Sequence, residues 1–232
     1  MSEVLAKVPK PVRPVLYVLG GWLGLFVVVN VVILLAGLIS RWTGHDPQLR
    51  SDDWPGITHL RLVDDHLLVG GQTTIAEYKE LAEEHGVTLV VDVRPERDRA
   101  GANRDERDDP EALKKVGLEY VKLPIPDGRA PTPDQIRRFL DIVDGNEGRV
   151  FAHCGGGVGR STSVAAAYEA AHGQDPSVLE QVAVGPPTLE QIWFVGTLEP
   201  DHPEHHISPA IAVFSRFVDS PRTVYGWFTD LL

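Results

Sequence analysis

The chain has 232 residues, 43% of them hydrophobic and 24% charged, and carries a formal net charge of −11. Such a make-up belongs to one globular domain with an appendage rather than to a disordered segment, and the acidic balance excludes nucleic acid, whose binding requires lysine and arginine to displace counterions along the phosphates. A single cysteine, Cys154, excludes an internal disulfide framework and any multi-cysteine metal centre.

A short tail, residues 1–14, carries Lys7, Lys10 and Arg13. Residues 15–40, "VLYVLGGWLGLFVVVNVVILLAGLIS", have no formal charge. As a helix they extend about 39 Å at ~1.5 Å per residue, enough to cross a ~30 Å hydrocarbon core. The run also exceeds the ~7–15 apolar residues of a cleaved signal, so a retained transmembrane helix is expected, with Tyr17, Trp22 and Trp42 suited to the interfaces. Gly20 and Gly24 form a GxxxG pair, too common in such helices to argue for dimerisation; the oligomeric state stays open. The flanking basic residues favour an internal N-terminus and an external domain. A thiol that must stay reduced favours a cytoplasmic domain, and that placement is the one adopted.

Residues 41–57, polar and punctuated by Pro47, Pro55 and Gly56, read as a linker. Short strands are expected at Leu60–Leu62 and His66–Val69 around an Asp64-Asp65 turn. Thr74–His85 has the pattern of an amphipathic helix stopped by Gly86. "TLVVDV" (Thr88–Val93) suits a buried strand and is followed by the mixed-charge stretch Arg94–Lys115, read as a solvated loop leading into helix. "YVKLPI" then precedes a helix over Pro133–Val143, with Thr132 as N-cap, Pro133 at the first position and Gln135 completing a capping box. The strand Arg149–His153 and the helix Arg160–Ala171 come next. Trp193 and Phe194 fall in a helical pattern and are assigned to the core. "DHPEHH" (Asp201–His206) is read as solvated, with no metal site. The apolar Pro209–Leu232, including Phe214, Phe217, Trp227 and Phe228, reads as a helix closing the core, with a second membrane contact as the competing assignment. Strands alternating with helices imply an α/β fold whose central, mostly parallel sheet is covered by helices on both faces. The implied organisation is a tail (1–14), a transmembrane helix (15–40), a linker (41–57), a catalytic domain (58–200) and a C-terminal helical extension (201–232).

The chemistry concentrates in "VFAHCGGGVGRSTS", Val150–Ser163. A strand, a tight glycine loop and a helix aim successive N–H groups and a helix N-terminus at one point, a nest for a tetrahedral oxyanion. Gly155, Gly156, Gly157 and Gly159 let the backbone curl closely, and the amides through Val158 line the nest. Arg160 offers a planar fork for two phosphate oxygens. Cys154 opens the loop, in a positive field that favours the thiolate, and reads as a nucleophile aimed at bound phosphate. A Walker A loop is excluded: Cys154 stands in place of its first glycine and Arg160 in place of its lysine. A dinucleotide-binding fingerprint fits in no register.

His153-Cys154-x5-Arg160-Ser161 resembles the signature of the cysteine-dependent protein tyrosine phosphatase superfamily. "PIPDG" (Pro124–Gly128) resembles the general-acid loop of its dual-specificity branch. The resemblance covers roughly residues 58–200; low-molecular-weight phosphatases carry their motif near the domain start, and rhodanese-like loops are shorter. It implies a dual-specificity phosphatase-like fold in which Cys154 attacks phosphorus and Arg160 with the loop amides holds the equatorial oxygens. Asp127 is then the general acid, Ser161 donates to the sulfur, and His153 orients the cysteine. No metal or organic cofactor is implied. Asp134 is better explained as a helix N-terminal charge, and Arg94 is a lesser candidate for substrate binding.

Two substrate classes fit. Phosphoproteins, at phosphotyrosine and in addition phosphoserine or phosphothreonine, are preferred. A phospholipid head group is the alternative suggested by the anchor, but the loop has no lysine between Cys154 and Arg160, and the acidic charge is unhelpful beside an anionic bilayer. A lipid with one terminal phosphate, such as phosphatidylglycerophosphate, remains in play. A catalytically dead phosphate-binding module would typically have lost the cysteine, the arginine or the acid, all of which are present.

Overall fold

A computed structural model describes residues 12–95 and 110–229, with side chains described only as far as residue 221 beyond Pro209. The chain opens on a long helix, α1 (Arg13–Trp42), and enters the domain through β1 (Arg61–Leu62) and β2 (Leu67–Gly70). It continues through α2 (Ile75–His85), β3 (Val87–Asp92), α3 (Pro110–Lys115), β4 (Glu119–Lys122), α4 (Pro133–Asp144), β5 (Arg149–His153) and α5 (Arg160–Ala171). Three further helices, α6 (Val178–Val184), α7 (Leu189–Gly196) and α8 (Pro209–Thr229), complete the described residues.

The strands form one sheet in the order β1-β2-β5-β3-β4, parallel throughout except for the β1–β2 pair. Both faces are covered. On one, Leu67, Val69, Val91, Val150 and Ala152 pack against Phe139 and Val143 of α4 and Val164, Ala165 and Tyr168 of α5. On the other, Leu68, Val90 and Phe151 meet Tyr78 and Leu81 of α2 and Leu113 of α3. Successive strand residues point to opposite faces, so double-sided burial explains why the strands read as unbroken apolar runs. Register aligns the carboxyl ends: Gly70 of β2 and Asp92 of β3 both stand beside His153 of β5. The crevice outside those ends is where an open parallel sheet places its ligand site.

The helix signals hold. Thr74 caps α2 in a capping box with Glu77, and Gly86 ends it at φ 68°. Thr132 and Gln135 form the expected box on α4, with Pro133 in its first turn. Helix α5 differs, since it is buried on almost every side and no side chain caps its N-terminus at Gly159.

Three assignments change in detail. Residues 41–57 are no loose linker: Arg41 and Trp42 end α1, Leu49 donates its N–H to Leu60 at 2.8 Å, and Trp54 stacks on His85 at 4.0 Å. Apolar side chains spaced through a polar stretch were enough to dock it. Trp193 is 48% exposed, whereas Phe194 is fully buried, because the buried face of α7 falls on Glu190, Gln191, Phe194 and Val195. Helix α8 is two-faced, with Ala212, Ser215 and Val218 buried and Val213, Phe214 and Phe217 exposed. The side chains of Trp227 and Phe228 lie outside the described residues, as do Lys7, Lys10 and most of Arg94–Lys115.

Helix α1, mean hydropathy 2.7 over its most apolar stretch, is long and apolar enough to cross a membrane. Its C-terminal third is seated on the domain. Ser40 Oγ donates to Leu179 O at 2.6 Å, and Arg41 donates to Ala183 O and, at 2.9 Å, to Val184 O. Gly37, rather than the Gly20/Gly24 pair, is the glycine that a neighbour approaches: a Cβ there would collide with the Val182 carbonyl. Farther up, the Trp22 indole donates to Phe217 O at 2.9 Å and to Ser220 Oγ at 3.2 Å on α8.

Candidate active site

Strand β5 delivers His153 and Cys154 to the crevice, and α5 carries Arg160 and Ser161 away from it. The loop between them is shaped by donors on its outer side. Gln72 N donates to Gly155 O at 3.0 Å, and His59 Nδ1 donates to Gly156 O at 2.6 Å. A trans peptide is planar, so a carbonyl turned outward turns the next N–H inward. Accordingly Gly157 N–H points at Cys154 Sγ, 3.2 Å away. Gly157 has φ 72°, and a Cβ on it would lie 2.6 Å from Gly71 N and 2.9 Å from Thr58 O, so glycine is required there on two counts. Gly159 is pressed by the carboxamide of Gln191. Thr162 Oγ1 occupies the carbonyls of Val158 and Gly159, and the Val158 side chain packs against Gly185.

Cys154 is 3% exposed, and Ser161 Oγ lies 3.3 Å from its sulfur. The Arg160 side chain, 3% exposed, reaches Asp127 Oδ1 at 3.1 Å, whereas Asp127 itself is 59% exposed. Cys154, Ser161, Arg160 and Asp127 therefore meet at one mouth: a buried sulfur at the base, a guanidinium on the wall and a carboxylate at the rim.

Behind the cysteine, His153 is fully buried. Its Nε2 is 3.0 Å from the Tyr78 hydroxyl, and its ring stacks on Phe151. Beside it Asp92, also fully buried, accepts from Arg94 Nε at 2.9 Å and Nη2 at 3.0 Å, from the Tyr120 hydroxyl at 2.9 Å and from Lys122 Nζ at 2.6 Å. Burial disfavours the Asp92 charge, but His153, Arg94 and Lys122 outweigh it and hold the carboxyl far below the usual carboxylate range. Arg94 thus serves the strand end through Asp92.

The segment carrying Asp127 is tied down by the first turn of α7. Thr188 Oγ1 donates to Gly128 O at 2.8 Å, Gln191 Nε2 donates to Arg129 O at 3.1 Å, and Ala130 N donates to Glu190 Oε1 at 3.3 Å. Gly128, at φ 70°, makes the turn just after the acid. Asp134 pairs with Arg137, and Arg137 with Glu204 of the "DHPEHH" stretch. Among the described residues, the ligand atoms close enough to share a cation are those of Glu80, Glu84 and His85 on α2.

The motif reading missed Tyr78, Asp92, His59, Glu190 and Gln191. Tyr78 lies on the apolar face of a correctly placed helix, and Asp92 is the one charged residue in a buried strand pattern, a signal that was available. Nothing in the spacing links His59 to Gly156 across 97 positions.

A family model described as a DSP-PTPase phosphatase fused to NAD+ kinase matches residues 53–191, more than half of the chain. Human dual specificity protein phosphatase CDC14A is 37% identical over 57 residues, 25% of this chain and 10% of that protein. A beta-lactamase hydrolase-like protein of Agrobacterium fabrum is 31% identical over 97 residues, 41% of this chain and 21% of that one. The chain therefore spans a tenth to a fifth of the length of these curated relatives. Among solved structures, a DUF442 protein from Shewanella putrefaciens CN-32 superposes with a TM-score of 0.51 at 21% identity, over 65% of this chain and 94% of that one, which shows a shared fold.

Proposed function

Since the chain belongs to the family of DSP-PTPase phosphatases found fused to NAD+ kinase, we propose that it is a membrane-anchored phosphatase that hydrolyses phosphate monoesters on proteins through a phosphocysteine intermediate. The observation that carries this reading is the sulfur of Cys154 at the base of the glycine loop, 3.2 Å from the Gly157 amide, with Arg160 and Asp127 meeting across the mouth at 3.1 Å.

A phosphate monoester seats its oxygens on the loop amides and the Arg160 fork, taking up donors that now serve Asp127. Asp127 is thereby released toward the leaving oxygen. The Cys154 thiolate attacks phosphorus in line; the S–P bond forms as the P–O bond breaks, and protonated Asp127 gives its proton to the departing oxygen. Water then attacks the phosphocysteine. Asp127 takes its proton, the S–P bond breaks, and Ser161 donates a hydrogen bond to the sulfur as inorganic phosphate leaves. The preformed amides and Arg160 stabilise the charge on the equatorial oxygens in both steps. His153, held by Tyr78 and with its Nδ1 3.3 Å from the Cys154 carbonyl, orients the cysteine backbone. No step needs a metal or an organic cofactor.

The protein substrate is supported by the likeness to CDC14A, a dual specificity protein phosphatase, and by a loop without lysine. Anchoring is supported by the length and hydropathy of α1. The test is phosphate release by the full chain in detergent micelles, with Cys154→Ser as control, from phosphotyrosyl and phosphothreonyl peptides and from micellar phosphatidylglycerophosphate. Peptide turnover abolished in the variant is expected. Preference for the lipid would replace the substrate class, and no turnover of any of them would make the chain a phosphate-binding module.

A further inference from the structure

Glu190 is a buried carboxylate, 4% exposed, that the phosphatase reading does not use. Burying a carboxylate costs several kcal/mol unless it is well paired. Nor does Glu190 cap its own helix, a role filled by Thr188 with Gln191. Its side chain instead reaches outward in two directions. Oε1 accepts from the Ala130 amide at 3.3 Å, and Oε2 stands 3.4 Å from Arg216 Nε on α8. Its backbone N–H donates to Ser215 Oγ at 2.9 Å, and that hydroxyl donates on to Asp219 Oδ2 at 3.2 Å. Burial raises the Glu190 pKa and Asp219 adds to the rise, while the Ala130 amide and Arg129 oppose it.

The three residues after Asp127 are each held by one residue in the first turn of α7: Gly128 by Thr188, Arg129 by Gln191 and Ala130 by Glu190. Of the three ties, that of Glu190 continues to α8, which is itself seated against α1 through Trp22. Asp127 is more than half exposed, so its placement depends on these ties rather than on burial.

We propose that Glu190 is a positioning residue for the general-acid step, transmitting the seating of the C-terminal helix α8 to the loop that carries Asp127. The inference rests on the reading of Asp127 as the acid. Removing the carboxylate leaves the Ala130 amide without its acceptor and Arg216 without its partner. The loop then relaxes, and a displacement of about 1 Å in a catalytic group is worth up to ~100-fold. The loss falls on reactions whose leaving group needs a proton. Where the leaving group departs as a stable anion, attack by Cys154 proceeds nearly as before.

The experiment compares kcat/KM, which reports the reaction only as far as departure of the leaving group, for 4-nitrophenyl phosphate, with a good leaving group, and phenyl phosphate, with a poor one, using the full chain in detergent micelles. The variants are Glu190→Ala, Glu190→Gln, Arg216→Met, Asp127→Asn and the double Asp127→Asn/Glu190→Ala. Glu190→Ala is expected to lower kcat/KM on phenyl phosphate about 10- to 100-fold, with less than about 3-fold loss on 4-nitrophenyl phosphate. Glu190→Gln, which keeps an acceptor for Ala130, recovers most of that loss. Arg216→Met, on a half-exposed residue, gives the same selective pattern at about 3-fold and carries the test if Glu190→Ala does not fold. On phenyl phosphate the double variant is no slower than Asp127→Asn alone, because both changes remove the same contribution. Equal losses on both substrates, additive losses in the double variant, or no selective loss would overturn the proposal. Should Asp127→Asn itself show no leaving-group selectivity, the acid assignment falls and takes this inference with it. Selectivity in Asp127→Asn without selectivity in Glu190→Ala and Arg216→Met overturns the role of Glu190 alone.

Discussion

The loop that holds Cys154 and the loop that holds Asp127 are joined by the 3.1 Å pair of Arg160 and Asp127, yet they are built in opposite ways. The cysteine loop is a buried backbone structure. Its carbonyls are turned outward by Gln72, His59 and Thr162, its glycines admit a curvature that other residues refuse, and its sulfur is 3% exposed. The acid loop is exposed and is held from one side by side chains of α7, one of which leans on α8. A nest for an oxyanion must be rigid before the ligand arrives, because preorganised donors need no rearrangement in the transition state. On the proposed mechanism Asp127 must first release Arg160 and then meet the leaving oxygen, which needs a placement that can shift.

Substitutions can break that contrast. The largest effect belongs to the cysteine loop: Cys154→Ser should reduce phosphate release to background on every substrate, whatever the leaving group, as measured by steady-state assay. Gly157→Ala should come next, lowering kcat/KM by about 100-fold or more, since the new Cβ meets Gly71 and Thr58 and the positive φ is strained. Its loss should be equal for good and poor leaving groups; a selective loss would mean that the loop is not the rigid partner. On the acid side, Asp127→Asn should lower kcat/KM about 100-fold for phenyl phosphate but far less for 4-nitrophenyl phosphate.

The scaffold behind the cysteine should respond in stability rather than in leaving-group selectivity. Asp92→Asn removes the charge that pairs with Arg94 and Lys122 and should destabilise the domain by about 3–5 kcal/mol, read as a melting-temperature drop of roughly 10 °C. The folded pKa of Asp92 is depressed, so its stabilisation is fully present above the unfolded value of ~3.9 and is lost only as pH falls through the folded value. The gap in melting temperature between wild type and variant should persist through mildly acidic pH and close only in strong acid. The smallest effect is expected at His59, which sits at φ 56°. His59→Ala should lower kcat/KM a few-fold by freeing the Gly156 carbonyl, about the worth of one hydrogen bond. His59→Asn, which tolerates that backbone and offers an amide donor, should restore most of it.

How much of this was legible beforehand follows the same division. The alternation of apolar runs and capped helices sufficed for the mostly parallel sheet, and Thr74, Gly86, Thr132 and Gln135 marked helix ends that the structure keeps. These are local effects, carried by backbone geometry and by side chains within one turn of each other. The glycine loop was equally readable, because Gly157 and its neighbours act through their own φ angles and through the short distance from Cys154 to Arg160. The docking of residues 41–57 was not, since Trp54 finds His85 only after α2 is in place, and the exposure of Trp193 depends on which face of α7 turns inward.

By itself, then, the sequence determined an apolar helix long enough to span a bilayer, an α/β domain, and a cysteine at the start of a tight glycine loop, because each is written in residues adjacent along the chain. Only the tertiary structure decided that α1 and α8 are seated on the domain, that Tyr78 braces His153, that His59 turns the Gly156 peptide, and that Glu190 joins the loop of Asp127 to the C-terminal helix. Those contacts join residues from 26 to 195 positions apart. Nothing local favours one such pairing over its competitors until burial has removed water from both partners and left each polar group in need of the other.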